Sequence, residues 1–190
     1  MFKHDFRYIN EEFYGEKLHP AQLDAVWAQG WRHFGTHFFR YNLGFYQADI
    51  RRVIPLRIRL ADFTLSKSQR RVLRKNYDLQ TIIRPIEITT EAKNLFDRHK
   101  RRFKEGVPDS VFDFLSRDAA NIPGEAKEVC VYEGETLLAA SFFAVGEQAI
   151  SAIYGMFEPR ETSRSLGIFT MLKEIEFAIA RGRQFYYQGY

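Results

Sequence analysis

Eleven residues, Ser66 to Asn76 ("SKSQRRVLRKN"), carry five cations. On a helical wheel Lys67, Arg70, Arg71, Arg74 and Lys75 fall at i, i+3, i+4, i+7 and i+8, so all five share one face. Leu65, Val72 and Leu73 take the opposite side, where they can dock on a sheet. Ser68 and Gln69 lie within the same segment. Like charges along one stripe repel, and only two acids, Asp62 and Asp78, sit close in sequence to offset them. Two readings fit: the solvated face of a surface helix, or a surface that tracks phosphates with planar guanidinium forks. Arg51, Arg52, Arg57 and Arg59 can extend such a patch, and Lys100, Arg101 and Arg102 can add another. Contacts of this kind are sequence-tolerant and salt-sensitive. By physics alone the ligand is a polyanion, either RNA or a phosphorylated molecule.

A second stretch, "SRSLGIF", opens a long amphipathic helix. Free backbone N–H groups at a helix start make an anion or oxyanion site, and Gly167 permits close approach. Ser165, Leu166 and Gly167 are therefore candidates to line a cleft. A plain helix start gives the same pattern. The single cysteine, Cys130, lies in an alternating apolar run and reads as a buried strand residue. One cysteine excludes a disulfide framework and a Cys-based metal site. His4, His19, His33, His37 and His99 show no ligand spacing; His33 and His37 fall on one face of a predicted strand.

The elements that must hold these residues follow from periodicity. "HPAQLDAVWAQG" predicts a helix opened by Pro20 and closed by Gly30. "WRHFGTHFFRYNL" alternates like one strand, residues 44–52 read as a charged connection, and "RVIPLRIRLADF" alternates again. The basic helix, a strand "LQTIIRPIEI", a helix over "TTEAKNLFDRHKRRFKEG" and a short one over "DSVFDFLSRD" follow. "EVCVYEGETLLAASFFAVGEQAISAIYGMF" predicts three strands with turns at Glu133-Gly134 and Gly146-Glu147. The long helix ends at Gly182, and "QFYYQGY" is a final strand. Such an order predicts an α+β fold, a mostly antiparallel sheet with helices on its faces. The chain stops just inside that strand, which reads as a truncated tail.

With 190 residues, 45% hydrophobic and 27% charged, the chain is globular and long enough for a sizeable core. A net charge of +4 is mild, so where the charge sits matters more than its sum. No apolar run is long enough for a transmembrane helix, and the N-terminus lacks a signal-peptide core. The expectation is a soluble cytoplasmic protein with no membrane partner.

Several blocks, in order, resemble one family. "SKSQRRVLRKN" is similar to a block of the aminoacyl-tRNA–protein transferases, the arginyl and leucyl transferases of the N-degron pathway. "EEFYGEKLHPAQLDAVWAQGWRHFGTHFFR" resembles the helix and strand leading into the family's "F-Y-R" element. "IPLRIRLADF" resembles its "V-P-V-R" strand, "AIYGMFEPRETSRSLGIFTMLKEIEFA" its "Y-x-F-Y-D-P…R-R-S-L-G" block, and "FYYQGY" its "Y-x-Y-L-G-Y" strand. The resemblance implies a GNAT-like acyltransferase fold, with a degenerate, cysteine-less N-terminal region over 1–62 and the transferase domain over 63–190. It implies transfer of arginine or leucine from aminoacyl-tRNA to the free N-terminal amine of a protein or peptide, typically one beginning with Asp or Glu. No cofactor is implied. The family's cysteine cluster falls in the interval "YNLGFYQADIRRVI", which holds no cysteine, so metal or redox control is not expected.

The implied reaction starts from an activated ester, so the enzyme must hold it, hold an amine and stabilise an oxyanion. Glu158, in "FEP" where the family has "Y-D-P", is a candidate acid/base or amine anchor, or a solvent-exposed turn acid. Tyr154 is its catalytic companion. Tyr154, Tyr187 and Tyr190 can line a cleft between splayed strands, where a tyrosine stacks on the terminal adenine, or serve as core and rim residues. Lys67, Ser68, Gln69, Arg70, Arg71, Arg74 and Lys75 become the candidate tRNA surface. Two other classes stay open: a GNAT acyltransferase using acetyl-CoA, whose pyrophosphate loop carries more glycine and basic residues than "SRSLG" offers, and a non-catalytic tRNA-binding module.

Overall fold

The computed structural model describes residues 7–189; His4 and Tyr190 lie outside them. The chain opens with β1 (Asn10–Tyr14), α1 (Pro20–Ala28), β2 (Arg32–Phe34) and β3 (His37–Tyr41). A hairpin of β4 (Leu43–Tyr46) and β5 (Asp49–Arg52) leads to β6 (Leu56–Arg59), α2 (Lys67–Lys75), β7 (Gln80–Pro85) and α3 (Thr90–Lys100). The meander β8 (Ala126–Glu133), β9 (Thr136–Val145) and β10 (Ala149–Phe157) follows, then α4 (Leu166–Ala180) and β11 (Phe185–Gly189).

Six strands form the principal sheet in the order β6-β11-β10-β9-β8-β7. Every neighbouring pair is antiparallel except β10 and β11. β1, β3 and β2 make a smaller sheet. Strand β9 is central, and its run "LLAASFFAV" is buried throughout, as a strand covered on both faces should be. Phe142 and Ala144 face a core built with Leu23 and Trp27 of α1 and Leu95 and Phe96 of α3. Phe143 and Val145 face the opposite core, with Phe169 and Ile175 of α4 and the partly buried Val72 and Leu73 of α2. The fold is thus α+β, a mostly antiparallel sheet with two helices on each face.

Four segments differ from their sequence patterns, one of them "DSVFDFLSRD", where a single 3-10 turn over Val111–Asp113 stands in place of a short helix. "WRHFGTHFFRYNL" is not one strand: β2 and β3 form a hairpin closed by Phe34↔His37. A two-residue turn leaves the alternation of the sequence unbroken, so periodicity does not reveal it; Gly35 takes φ +52° there. His33 and His37 consequently sit on different strands. Residues 44–52 form the β4–β5 hairpin rather than an open connection. Its turn residues, Gln47 and Ala48, both have positive φ (49° and 66°) without the Asn or Gly that usually marks such a turn. Helix α3 stops at Lys100, short of Gly106, because the next core-facing position, Phe103, is already exposed and no apolar face remains to bury.

Candidate active site

Strands β10 and β11 run parallel for only three pairs, from Ala149↔Phe185 to Ser151↔Tyr187. Beyond them the strands part. A register shift in β10 falls between Ala152 and Tyr154, and one in β11 between Tyr187 and Gly189; bulges of this kind bend a strand away from its neighbour. The gap opens on both faces of the sheet. Towards α4 it forms a cleft of about 340 Å³ walled by Ala152, Ile168, Met171 and Gln188. On the opposite face, a cleft of about 250 Å³ is lined by Arg32, Phe34, Phe39 and Tyr41. Ile153 and Gln188 line both. The buried Arg32 guanidinium donates to the Ala152 carbonyl at 2.6 Å, bracing the edge of β10 that has lost its strand partner.

The floor of the larger cleft is acidic. Glu174 of α4 is 2% exposed and lines it together with Ser141 and Tyr186. The Tyr186 hydroxyl donates to Glu174 Oε2 at 2.8 Å. Burial pushes the Glu174 carboxyl up to about 7, against the opposing pull of Ser141 and Tyr186. Periodicity carried a signal here: Glu174 stands four residues from Thr170 and from Ala178, both buried, on the core-facing stripe of α4.

Helix α2 is built by its own termini. Ser66 Oγ accepts the Gln69 N–H at 3.2 Å and the Gln69 side chain returns to the Ser66 N–H at 2.8 Å, a reciprocal cap. Ser68 meets Ser66 hydroxyl to hydroxyl at 2.9 Å. Lys67, Arg70, Arg71, Arg74 and Lys75 are all exposed, and among the described residues no acid forms an ion pair with any of them. Arg70 donates to the Leu65 carbonyl and Lys75 to that of Ser163. The two nearby acids are engaged elsewhere, Asp62 by Arg59 and Asp78 by Arg164.

Contacts with the turn before α4 fix where the basic face lies. The Asn76 amide donates to the carbonyls of Val72 and Arg164, both at 2.9 Å. Arg164 reaches the Lys75 carbonyl, Asp78 and Glu133. A cleft beside Lys75 and Arg164 shares Glu161 with one of about 570 Å³ at the start of α4, lined by Arg102, Phe157, Ser165, Leu166 and Gly167. Gly167 and Ile168 are shared in turn with the β10–β11 cleft. The basic helix, the α4 start and the strand gap therefore form one continuous surface line.

The other sequence-derived candidates are dispersed. Ser165 is the left-handed residue (φ 54°) joining the turn to α4, and Leu166 is core. The missing Gly167 side chain would lie 3.3 Å from the Phe157 ring. Tyr154 lies at the β10–β11 gap, its ring stacked on Phe114 at 3.9 Å and edge-on to His99; burial raises its phenol to about 12. Glu158 lies just past β10, ion-paired to Arg98 at 2.6 Å. Its burial, which would raise the carboxyl, is more than offset by Arg98 and by the Arg160 N–H, so it stays below its ordinary range. Tyr187 is buried beside Trp27 on the α1 face.

Residues 91–190 match the family model described as arginine-tRNA-protein transferase, C terminus. The chain belongs to this family. An aspartate/glutamate leucyltransferase of Saccharophagus degradans is 34% identical over 171 residues, covering 85% of this chain and 68% of the relative. One from Campylobacter jejuni is 28% identical over 167 residues with the same coverage. A solved C-terminal domain (DUF2156) from Agrobacterium fabrum superposes with a TM-score of 0.54 at 14% identity, over 95% of this chain and 54% of that one. This chain spans about half the length of that solved domain, and the likeness is one of fold.

The aminoacyl-tRNA–protein transferase resemblance places a metal-binding cysteine cluster in the β4–β5 hairpin, and the residues there do not fit one. The hairpin holds no cysteine, and no group of three His, Cys, Asp or Glu side chains suited to a metal occurs among the described residues. No helix among them is long and apolar enough to cross a membrane.

Proposed function

We propose that this chain transfers an amino acid, leucine, from aminoacyl-tRNA to the N-terminal amine of a protein or peptide beginning with Asp or Glu. The observation that carries the reading is the un-neutralised basic face of α2, joined by one surface line to the strand gap in a chain of this family. The tRNA arm lies on Lys67, Arg70, Arg71, Arg74 and Lys75, whose contacts are to phosphates. Its aminoacylated end follows the start of α4, past Ser165, Leu166 and Gly167, into the β10–β11 cleft. The apolar walls of that cleft, Ala152, Ile168 and Met171, suit a leucyl side chain. The acceptor enters from the opposite face, through the cleft lined by Phe34, Phe39 and Ile153.

The ester needs no covalent catalyst. The neutral amine nitrogen attacks its carbonyl carbon, the tetrahedral oxyanion is met by peptide N–H groups of the parted β10 edge, and the C–O bond to the ribose breaks as the nitrogen gives up a proton to solvent and the leaving ribose oxygen takes one from it. Tyr154, packed against Phe114 and His99 on the α3 face, acts by bracing the bent part of β10, while Glu158 fixes the end of β10 against α3 through Arg98. In domain terms, residues 1–62 form the N-terminal region, lending β6 to the sheet, and 63–190 the GNAT-like transferase domain. The test is transfer of label from leucyl- and arginyl-tRNA to an Asp-initiated peptide. The expected result is label from leucyl-tRNA; no label from either tRNA overturns the reading.

A further inference from the structure

We propose that Glu174, at the floor of the β10–β11 cleft, pairs with the α-ammonium group of the aminoacyl donor, so that the cleft takes only donors whose α-amine is free. The inference rests on the reading above for which substrate enters this face, and it adds the group that recognises the amino end. An α-aminoacyl group presents two chemistries at once, a side chain and a cation two bonds from the reacting carbonyl carbon. The cleft offers a counterpart to each. Ala152, Ile168 and Met171 give apolar walls, and Glu174, the only acid lining it among the described residues, lies at its floor.

Nothing else in the described fold uses this carboxylate as an ion-pair partner. Glu174 is 2% exposed and sits in no ion pair among the described residues; its hydrogen-bond donor is the neutral Tyr186 hydroxyl at 2.8 Å. Ser141 of β9 and Tyr186 of β11 are the polar groups that face it, and Arg32 stands beyond Tyr186. A buried acid without a cation is costly, because ionisation strips its hydration and gains no counter-charge. An arriving ammonium supplies that charge. The carboxyl, pushed up to about 7 in the empty cleft, then ionises and gives its proton to solvent, with no bond made or broken in the donor. Discrimination follows, since an N-acylated donor brings a neutral amide that cannot pair and leaves the acid uncompensated.

The experiment uses a stable amide analogue, adenosine carrying a leucyl group on a 3′-amino sugar, and its N-acetyl form. Both are titrated calorimetrically into the protein at pH 7 in two buffers of different ionisation enthalpy. An α-amine with a pKa of about 8 is mostly protonated there. The free-amine analogue should bind roughly ten- to a hundredfold more tightly than the N-acetyl form, as a charge-assisted pair requires. It should also release about half a proton, since a group with pKa near 7 is half protonated at that pH. Glu174→Gln should bind both forms equally and release none. Tyr186→Phe, which keeps the carboxylate but removes a hydrogen bond favouring its charge, should keep the preference and release more than half a proton. Equal binding of the two forms by the wild type, binding of neither, or a preference surviving in Glu174→Gln overturns the proposal. Because the analogue cannot be transferred, a failed labelling assay with intact binding discrimination would instead strike at the proposed reaction.

Discussion

Arg164 grips Asp78 through two N–H···O contacts of 3.1 Å each. The pairing holds the Asp78 carboxyl below its usual range and takes an acid away from the neighbouring basic helix. It also ties the end of α2 to the turn before α4. Arg164→Met should lower the melting temperature by a few degrees and weaken tRNA binding, because Asp78 becomes free to face α2. Adding Asp78→Asn should restore much of the tRNA affinity without restoring the melting temperature. Filter binding and thermal melts of the wild type and the two variants check both halves.

The exposed face of α2 sets a salt dependence. Arg71 and Arg74 have no acidic partner among the described residues, and glutamate is as good a helix former as arginine. Arg71→Glu with Arg74→Glu should therefore leave helicity intact. The slope of log affinity for tRNA against log salt should fall by about one unit for each phosphate that is no longer neutralised. An unchanged slope would place the tRNA elsewhere.

Two buried groups pull the pH dependence of stability in opposite directions. Glu174 titrates at about 7 in the folded state against an ordinary 4.5, so folding takes up a proton between those values. Its contribution to stability is present below about pH 4.5 and lost as pH rises through 7, on the order of 3 kcal/mol in all. His33 is 2% exposed, and burial, only partly offset by the Gly35 carbonyl, lowers it to about 4. Its contribution is present above about pH 6.5 and lost as pH falls through 4, by a similar amount. Urea unfolding should show the advantage of Glu174→Gln over wild type growing from pH 4.5 to 7. The His33 imidazole resonances should stay at neutral positions until about pH 4.

The β9–β10 turn is held from α1. Asp24 accepts the Gln148 N–H at 2.7 Å and the Ala149 N–H at 3.1 Å, and a Cβ on Gly146 would stand 2.1 Å from its Oδ1. Gly146→Ala should cost about 1–3 kcal/mol by overpacking. A Cβ there also meets the buried Trp27 ring at 2.8 Å, so adding Asp24→Ala removes only the carboxylate part of the clash, and the double change should cost less than the sum of the single ones but more than Asp24→Ala alone. Denaturant titration of the four-member cycle measures that coupling.

What the sequence disclosed depended on whether a local rule was at work. Pro20 opens α1, Gly134 takes positive φ in the β8–β9 turn, and the unbroken apolar run of β9 fits a strand covered on both faces. These elements follow from propensity and period. The β4–β5 hairpin was hidden because its turn, Gln47-Ala48, lacks the residues that mark one. The one-sided charge of α2 was legible, but the docking of its end on Arg164 was not, since Lys75 and Ser163 lie 88 residues apart. The strand gap arises from two register shifts; the one in β11 carries a signal, since Gly189 takes φ 112° there, whereas the one in β10 between Ala152 and Tyr154 has no such residue. Glu174 could have been noticed as an acid on a buried stripe, whereas its meeting with Tyr186 depends on how β11 packs against α4.

Because β10 and β11 part so early, a cleft opens on each face of the sheet, with Ile153 and Gln188 lining both. Two molecules arriving from opposite sides can be held at the same time, and neither has to depart before the other binds. A transferase of this form would show initial-rate lines that cross as the second substrate is varied, the mark of a ternary complex, rather than the parallel lines of a ping-pong enzyme. Saturation with one substrate would not shut out the other.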